Sequence, residues 1–144
     1  MDRYLKGVQN PYKLCFVFGS NKAGIHGAGA ARYAKTKRGA VHGIGEGFTG
    51  HSETPCYALP TKGYNIEVLS LEDVARSIQQ FLMVADTYLD RMGFMVTRVG
   101  CGLGGHKDSD IAPLFEVAPA NCLFDTEWMR YLGINKLYWG TYGK

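Results

Sequence analysis

The chain has 144 residues, of which 46% are hydrophobic and 20% charged, and a formal net charge of +3. That length fits one domain able to bury a sizeable core, and the composition excludes a disordered, collagen-like or low-complexity chain. The mild positive balance comes without a long Lys/Arg run, so no dedicated polyanion stripe is announced.

Nineteen glycines are the compositional excess, and they fall in clusters without a fixed period. Such clusters argue for tight loops whose bare backbone approaches something closely. Cys15, Cys56, Cys101 and Cys122 are widely spaced with no C-x-x-C pair, which predicts buried free thiols in a reducing compartment. The first residues, Met1 to Lys6, contain no apolar leader core, and no 18-residue apolar run occurs. The expectation is a cytoplasmic protein without a membrane partner.

Leu14 to Phe18 reads as a buried strand, and it runs into Gly19-Ser20-Asn21-Lys22-Ala23-Gly24-Ile25-His26-Gly27-Ala28-Gly29-Ala30-Ala31. The small residues from Ala28 to Ala34 predict a helix packed closely on a sheet. Asn21 offers an amide that can donate and accept towards a ribose or base. Gly39 to Ser52 holds five glycines and reads as a loop or loose hairpin over a site, with Glu46 and Phe48 able to close on a ligand. A solvated connection is the competing reading.

Tyr57 to Lys62 is a further strand, with Pro60 placing its end near a sheet edge or a bulge. Lys62 then stands where a strand end presents it to the glycine loops. Leu71 to Met92 carries an apolar stripe at helical spacing, with Ser70 as N-cap and Gly93 as the stop. That stripe is core packing.

Phe94 to Val99 is the central strand, and it feeds Gly100-Cys101-Gly102-Leu103-Gly104-Gly105 before a helix from Asp108 to Val117. A loop at a strand's carboxyl end, backed by a helix N-terminus, favours a phosphate. Asp108 and Asp110 read as N-terminal helix charges. Cys122-Leu123-Phe124 is a short apolar segment, Asp125 or Thr126 caps a short helix through Trp128 and Leu132, and Lys136 to Trp139 is a last strand. Strands alternating with helices predict one three-layer α/β/α domain across residues 1–144, with a largely parallel sheet.

Tyr57-Ala58-Leu59-Pro60-Thr61-Lys62, the Ser-capped helix, and Val96-Thr97-Arg98-Val99-Gly100-Cys101-Gly102-Leu103-Gly104-Gly105 together resemble the macrodomain superfamily. The branch nearest in motif holds the terminal ADP-ribose glycohydrolases and the DNA-ADP-ribosyl-hydrolysing antitoxins. The segment from Asn21 through Gly24 to Ala31 is similar to that family's first ligand loop. The resemblance spans roughly Leu14 to Phe115 and implies an α/β/α fold with a mixed, mostly parallel sheet.

The implied ligand is ADP-ribose or an ADP-ribosylated substrate, nucleic acid included, with no cofactor and no metal. By the resemblance, Gly100, Cys101, Gly102, Leu103, Gly104 and Gly105 would hold the diphosphate and distal ribose. Asn21, Gly24, Ile25, Gly27, Ala28, Gly29 and Ala30 would lie against ribose and phosphate. Lys62 matches the lysine that attacks or polarises the anomeric carbon; attack needs the amine unprotonated, through desolvation or a neighbouring cation. Some relatives carry an acid directly after Gly-Cys-Gly-Leu where this chain has Gly104, so Glu46 is the candidate acid or base and His26 a candidate for orienting the ribose or a water.

Three readings follow: an ADP-ribosyl glycohydrolase, a non-catalytic reader or sequestering protein for ADP-ribose nucleotides, and a nucleic-acid-binding domain using Arg32, Lys35, Lys37 and Arg38. A solvated helix face accounts for those four cations more simply.

Overall fold

The computed structural model describes residues 13–142; the N-terminal stretch from Met1 to Lys6 lies outside them. Six strands form one sheet in the order β2-β3-β1-β4-β5-β6: β1 (Lys13–Asn21), β2 (Gly47–Gly50), β3 (Pro55–Lys62), β4 (Met92–Val96), β5 (Cys122–Asp125) and β6 (Leu137–Gly140). Every neighbouring pair is parallel except β2 with β3. The sheet is therefore mixed and mostly parallel, and the glycine-rich stretch before Ser52 supplies the antiparallel edge strand of a loose hairpin.

Alternating side chains divide the interior. On one face α2 (Leu71–Thr87), α3 (Asp108–Ile111) and the short helices beyond it cover Cys15, Val17, Tyr57, Leu59, Phe94, Val96 and Phe124. On the other, α1 (Gly29–Arg38) lays Ala31 and Ala34 on Phe16, Phe18, Cys56 and Ala58, with Tyr33, Trp139 and Tyr142 at the margin. The second cluster is small because the residues α1 buries are alanines, which allow a close approach, with Tyr33 packing on Phe16 beside them.

The helix α2 begins as expected, with Ser70 Oγ accepting from the Asp73 N–H at 3.1 Å and Val74, Ile78, Phe81 and Ala85 buried. It stops at Thr87, short of Met92. Met92 and Gly93 pair with Lys13 and Leu14 in β4, so Gly93 is a strand residue and not the helix stop. A Cβ at Gly93 would stand 3.0 Å from Leu14 Cδ2, and that tight fit is the need it meets.

The central strand is also shorter than its apolar run. It ends at Val96, and Thr97 turns its hydroxyl onto the Val17 carbonyl at 2.7 Å. The helix expected from Asp108 to Val117 divides into α3 and a 3-10 turn over Ala112–Phe115, with Pro113 near its start. After β5, a 3-10 turn over Thr126–Trp128 leads into α4 (Met129–Leu132). Among the described residues no helix is long and apolar enough to cross a membrane.

Candidate functional site

Parallel neighbours bring the carboxyl ends of β3, β1, β4 and β5 to one edge of the sheet. A cleft of about 610 Å³ opens there, a size suited to a small-molecule ligand. Its walls include Ser20 and Asn21 from β1, Gly27 to Ala31 from the following loop and α1, Thr61 and Lys62 from β3, and Gly100 to Gly104 beyond β4. Both glycine loops and Lys62 thus share one hollow.

The first loop is braced by its own asparagine. Asn21 Nδ2 donates to the Ile25 carbonyl at 2.7 Å, and Asn21 Oδ1 accepts the Ile25 N–H at 2.9 Å. Asn21 is buried, lines the cleft and spends one N–H and one oxygen lone pair on shaping the loop that carries Ile25. Gly24 is likewise architectural and does not line the cleft. It has φ +72°, donates to the Asn21 carbonyl and accepts from the Gly43 N–H, and a Cβ there would lie 2.4 Å from the Gly43 carbonyl carbon. Gly27 has open space around it and faces the cleft.

The second loop is a 3-10 turn over Gly102–Gly104. Its internal bonds run from the Gly104 N–H to the Cys101 carbonyl and from the Gly105 N–H to the Gly102 carbonyl. The N–H groups of Gly102 and Leu103 open the turn, where a helix has no internal acceptor for them. The two loops touch: a Cβ on Gly29 would lie 3.3 Å from Leu103 Cδ1. Gly105 packs towards Val68 and stands outside the cleft lining.

Lys62 is half-buried at the end of β3, where it pairs with Asn21 and bridges to Val68. Residues 63–69 return over this end, and Ile66, a cleft residue, has φ +64°. A β-branched side chain in the left-handed region is an outlier, and such strain collects at ligand clamps.

Arg98 and Asp125 are cleft residues to which the sequence reading assigned no ligand role. Arg98 donates from Nε and Nη2 to Asp108 Oδ1 and Oδ2, each at 2.7 Å, and Trp128 Nε1 donates to Asp108 Oδ1 at 2.7 Å. The Arg98 hydrogen bonds, joined by that of Trp128, outweigh burial and hold the Asp108 carboxyl down at about 2; the same pairing raises the Arg98 guanidinium. Asp108 is thus more than a helix charge, since it fixes the direction of a cleft cation. Burial pushes the Cys101 thiol up to about 12, which disfavours the thiolate that a nucleophilic cysteine needs.

Two candidate catalysts stand elsewhere. Glu46 lines a separate, more open hollow with Phe48, Tyr57 and Arg76 between β2 and α2. The reason is strand alternation: Glu46 stands two residues before Phe48 and shares its side of the sheet, towards α2, although the β2 pairing leaves it near the Lys62 end of β3. His26 is 1% exposed and buried behind the first loop, with its ring edge-on to Phe18 and stacked on His42. Its Nε2–H donates to the Val41 carbonyl at 2.9 Å, and burial lowers its pKa. It holds the loop 41–44 and does not face the cleft.

No protein-family model and no curated protein matches the sequence. Solved structures do match in fold. A protein of unknown function from Bacteroides thetaiotaomicron superposes with a TM-score of 0.57 at 12% identity, over 75% of this chain and 81% of that one. The macrodomain of Mycobacterium tuberculosis DarG gives 0.53 at 17% identity, over 81% and 90%. Thermosipho africanus DarTG in complex with ADP-ribose gives 0.53 at 16% identity, over 83% of this chain and 43% of that one. With the mixed six-stranded sheet and the flanking helices, these superpositions identify the fold of this chain as that of a macrodomain.

Proposed function

We propose that this chain binds ADP-ribose in the cleft and hydrolyses an ADP-ribosyl linkage on a nucleobase, a protein side chain or a small molecule. The observation that carries the reading is the convergence of both glycine loops and Lys62 on one hollow of suitable volume. A structure of the same fold is a complex with ADP-ribose. Backbone N–H groups of the second loop and the Arg98 cation suit a diphosphate. Lys62, across the β1 strand end from that loop, suits the sugar beyond it.

Lys62 can serve in two ways. As a free amine it would attack the anomeric carbon as the bond to the modified group breaks; as an ammonium it would steady the negative charge of the phosphate or the departing group. A second reading, a binding module without turnover, is favoured by the absence of a carboxylate other than Asp125 among the cleft residues.

Titration calorimetry with ADP-ribose, followed by product assay on ADP-ribosylated DNA, protein and mononucleotide, separates the readings. Binding with release of ADP-ribose from one of these is the expected result. Binding without release on any substrate selects the module, and absence of binding rejects both.

A further inference from the structure

The second hollow, between β2 and α2, measures about 610 Å³ and shares no lining residue with the cleft. Glu46 and Phe48 line it from the β2 side, Arg76 and Gln80 from α2, and Tyr57 from β3. Tyr57 is 2% exposed, with its ring edge-on to Phe48 and Phe81 at 5.5 and 5.0 Å between centroids. That packing leaves the hydroxyl as the part that meets the hollow, and it makes no hydrogen bond among the described residues. A polar group buried to this degree is costly to leave unpaired, which marks it as a point of attachment for a ligand. Burial pushes the phenol up to about 12 and the Glu46 charge adds to the shift, so a carboxylate stands within electrostatic reach of a hydroxyl that keeps its proton.

The charges around this hollow are unbalanced. Arg76 turns to Glu72, at 3.5 Å, and to Asp73, both on its own helix. Glu46 is exposed and has no ion pair among the described residues. Three carboxylates thus share one guanidinium, an acidic corner on a chain whose net charge is +3. Beside Glu46, Phe48 is 39% exposed.

A carboxylate, an aromatic ring and neutral oxygens in one hollow suit an organic cation. The carboxylate and the oxygens of Tyr57 and Gln80 accept N–H donors, and the ring attracts the charge. A guanidinium fits better than an ammonium, because it is flat, stacks on a ring and offers paired N–H groups to a carboxylate. The chain makes both contacts elsewhere, with Arg91 over the Tyr88 ring at 4.7 Å and Arg98 forked on Asp108. We infer that this hollow is a second binding site, which receives an arginine side chain of a partner protein with its guanidinium between Glu46 and Phe48 and against the Tyr57 hydroxyl.

NMR titration of the whole chain at low ionic strength, where surface charge is least screened, is the test. The probes are a blocked Gly-Arg-Gly peptide, its citrulline and lysine counterparts, and agmatine as a free guanidinium. The arginine peptide should bind saturably, shift the Phe48 and Gln80 amide signals, and bind about tenfold or more tighter than the uncharged citrulline peptide, the usual worth of a hydrogen bond to a charged group. Glu46→Gln should erase that difference. Tyr57→Phe should weaken the arginine peptide by about fivefold, yet melt no lower than the wild type, because the hydroxyl has no partner in the fold to lose. Equal affinity for the arginine and citrulline peptides, or an undiminished preference in Glu46→Gln, overturns the site. A lysine peptide that binds as tightly overturns the choice of a guanidinium, and agmatine binding tighter than the arginine peptide overturns the choice of a side chain. Failure of ADP-ribose to bind the cleft would leave this site standing, since no cleft residue takes part in it.

Discussion

Asn21 and Lys62 are partners across β1 and β3, although Ser20 pairs with Pro60, so Thr61 is an extra residue on β3. The bulge breaks the strict alternation of side chains, as one added residue shifts the face of everything beyond it. Thr61 spans the gap by donating its hydroxyl to the Ser20 carbonyl at 3.4 Å. The consequence is that Thr61 and Lys62 both reach the cleft from consecutive positions.

Replacement of Lys62 by Ala should therefore leave the fold intact and reduce ADP-ribose release by roughly 10²–10⁴-fold, the range for losing a positioned catalytic group. ADP-ribose affinity should change much less. Single-turnover assays beside calorimetry check this, and equal release by both proteins would remove Lys62 from the reaction.

The two glycines of the first loop should part ways on substitution. Gly24→Ala places a methyl group in the Gly43 backbone and demands φ +72° of an alanine, so it should cost upwards of about 2 kcal/mol. Gly27→Val meets open space, and should keep the unfolding midpoint while weakening ADP-ribose binding. Thermal melts with and without ligand distinguish the two.

Acid should release the Arg98 anchor. The folded Asp108 carboxyl titrates at about 2, below its ordinary 3.8, so its stabilising contribution is full above pH 4 and disappears as pH falls towards 2. At about 1.4 kcal/mol per pH unit it amounts to roughly 2 kcal/mol. Denaturant titrations should show the wild-type advantage over Asp108→Asn shrinking by that amount between pH 5 and pH 2.

His26 works in the opposite pH range. Its folded pKa lies below the ordinary 6.5, chiefly through burial, with Lys35 and His42 also opposing a charge there. The neutral ring therefore stabilises the fold above pH 6.5, and that contribution is lost as pH falls and the unfolded chain takes up the proton. His26→Gln should flatten the pH dependence of the melting temperature between pH 7 and 5. Its turnover at neutral pH should stay within about threefold of wild type, because a buried ring away from the cleft moves no proton in the reaction.

The sequence was most legible where one local rule operates. The Ser70 cap and the stripe of Val74, Ile78 and Phe81 define α2 without tertiary help, and the glycines at 100, 102 and 105 all take positive φ. It was least legible where a residue's task depends on distant partners. Glu46 sits among glycines that suggest a mobile loop, but it shares the α2 side of the sheet with Phe48, and that side depends on where β2 joins β3. Arg98 joins the site through Asp108, ten residues on, and no spacing rule announces that bond. Asp125 did carry a signal, as a helix-capping acid at the end of an apolar strand, yet capping accounts for only one of its oxygens.

The lopsided interior has a bearing on ligand response. The layer that carries Gly29 to Ala31 into the cleft rests on a thin seam of alanines and Tyr33, while the opposite layer is welded by Phe81, Phe94, Phe115 and Trp128. Local opening is easiest where apolar contact is sparse. Occupancy of the hollow would thus be felt first as slowed amide exchange in α1, so the protein's weaker shell is also the one that reports whether its guest is home.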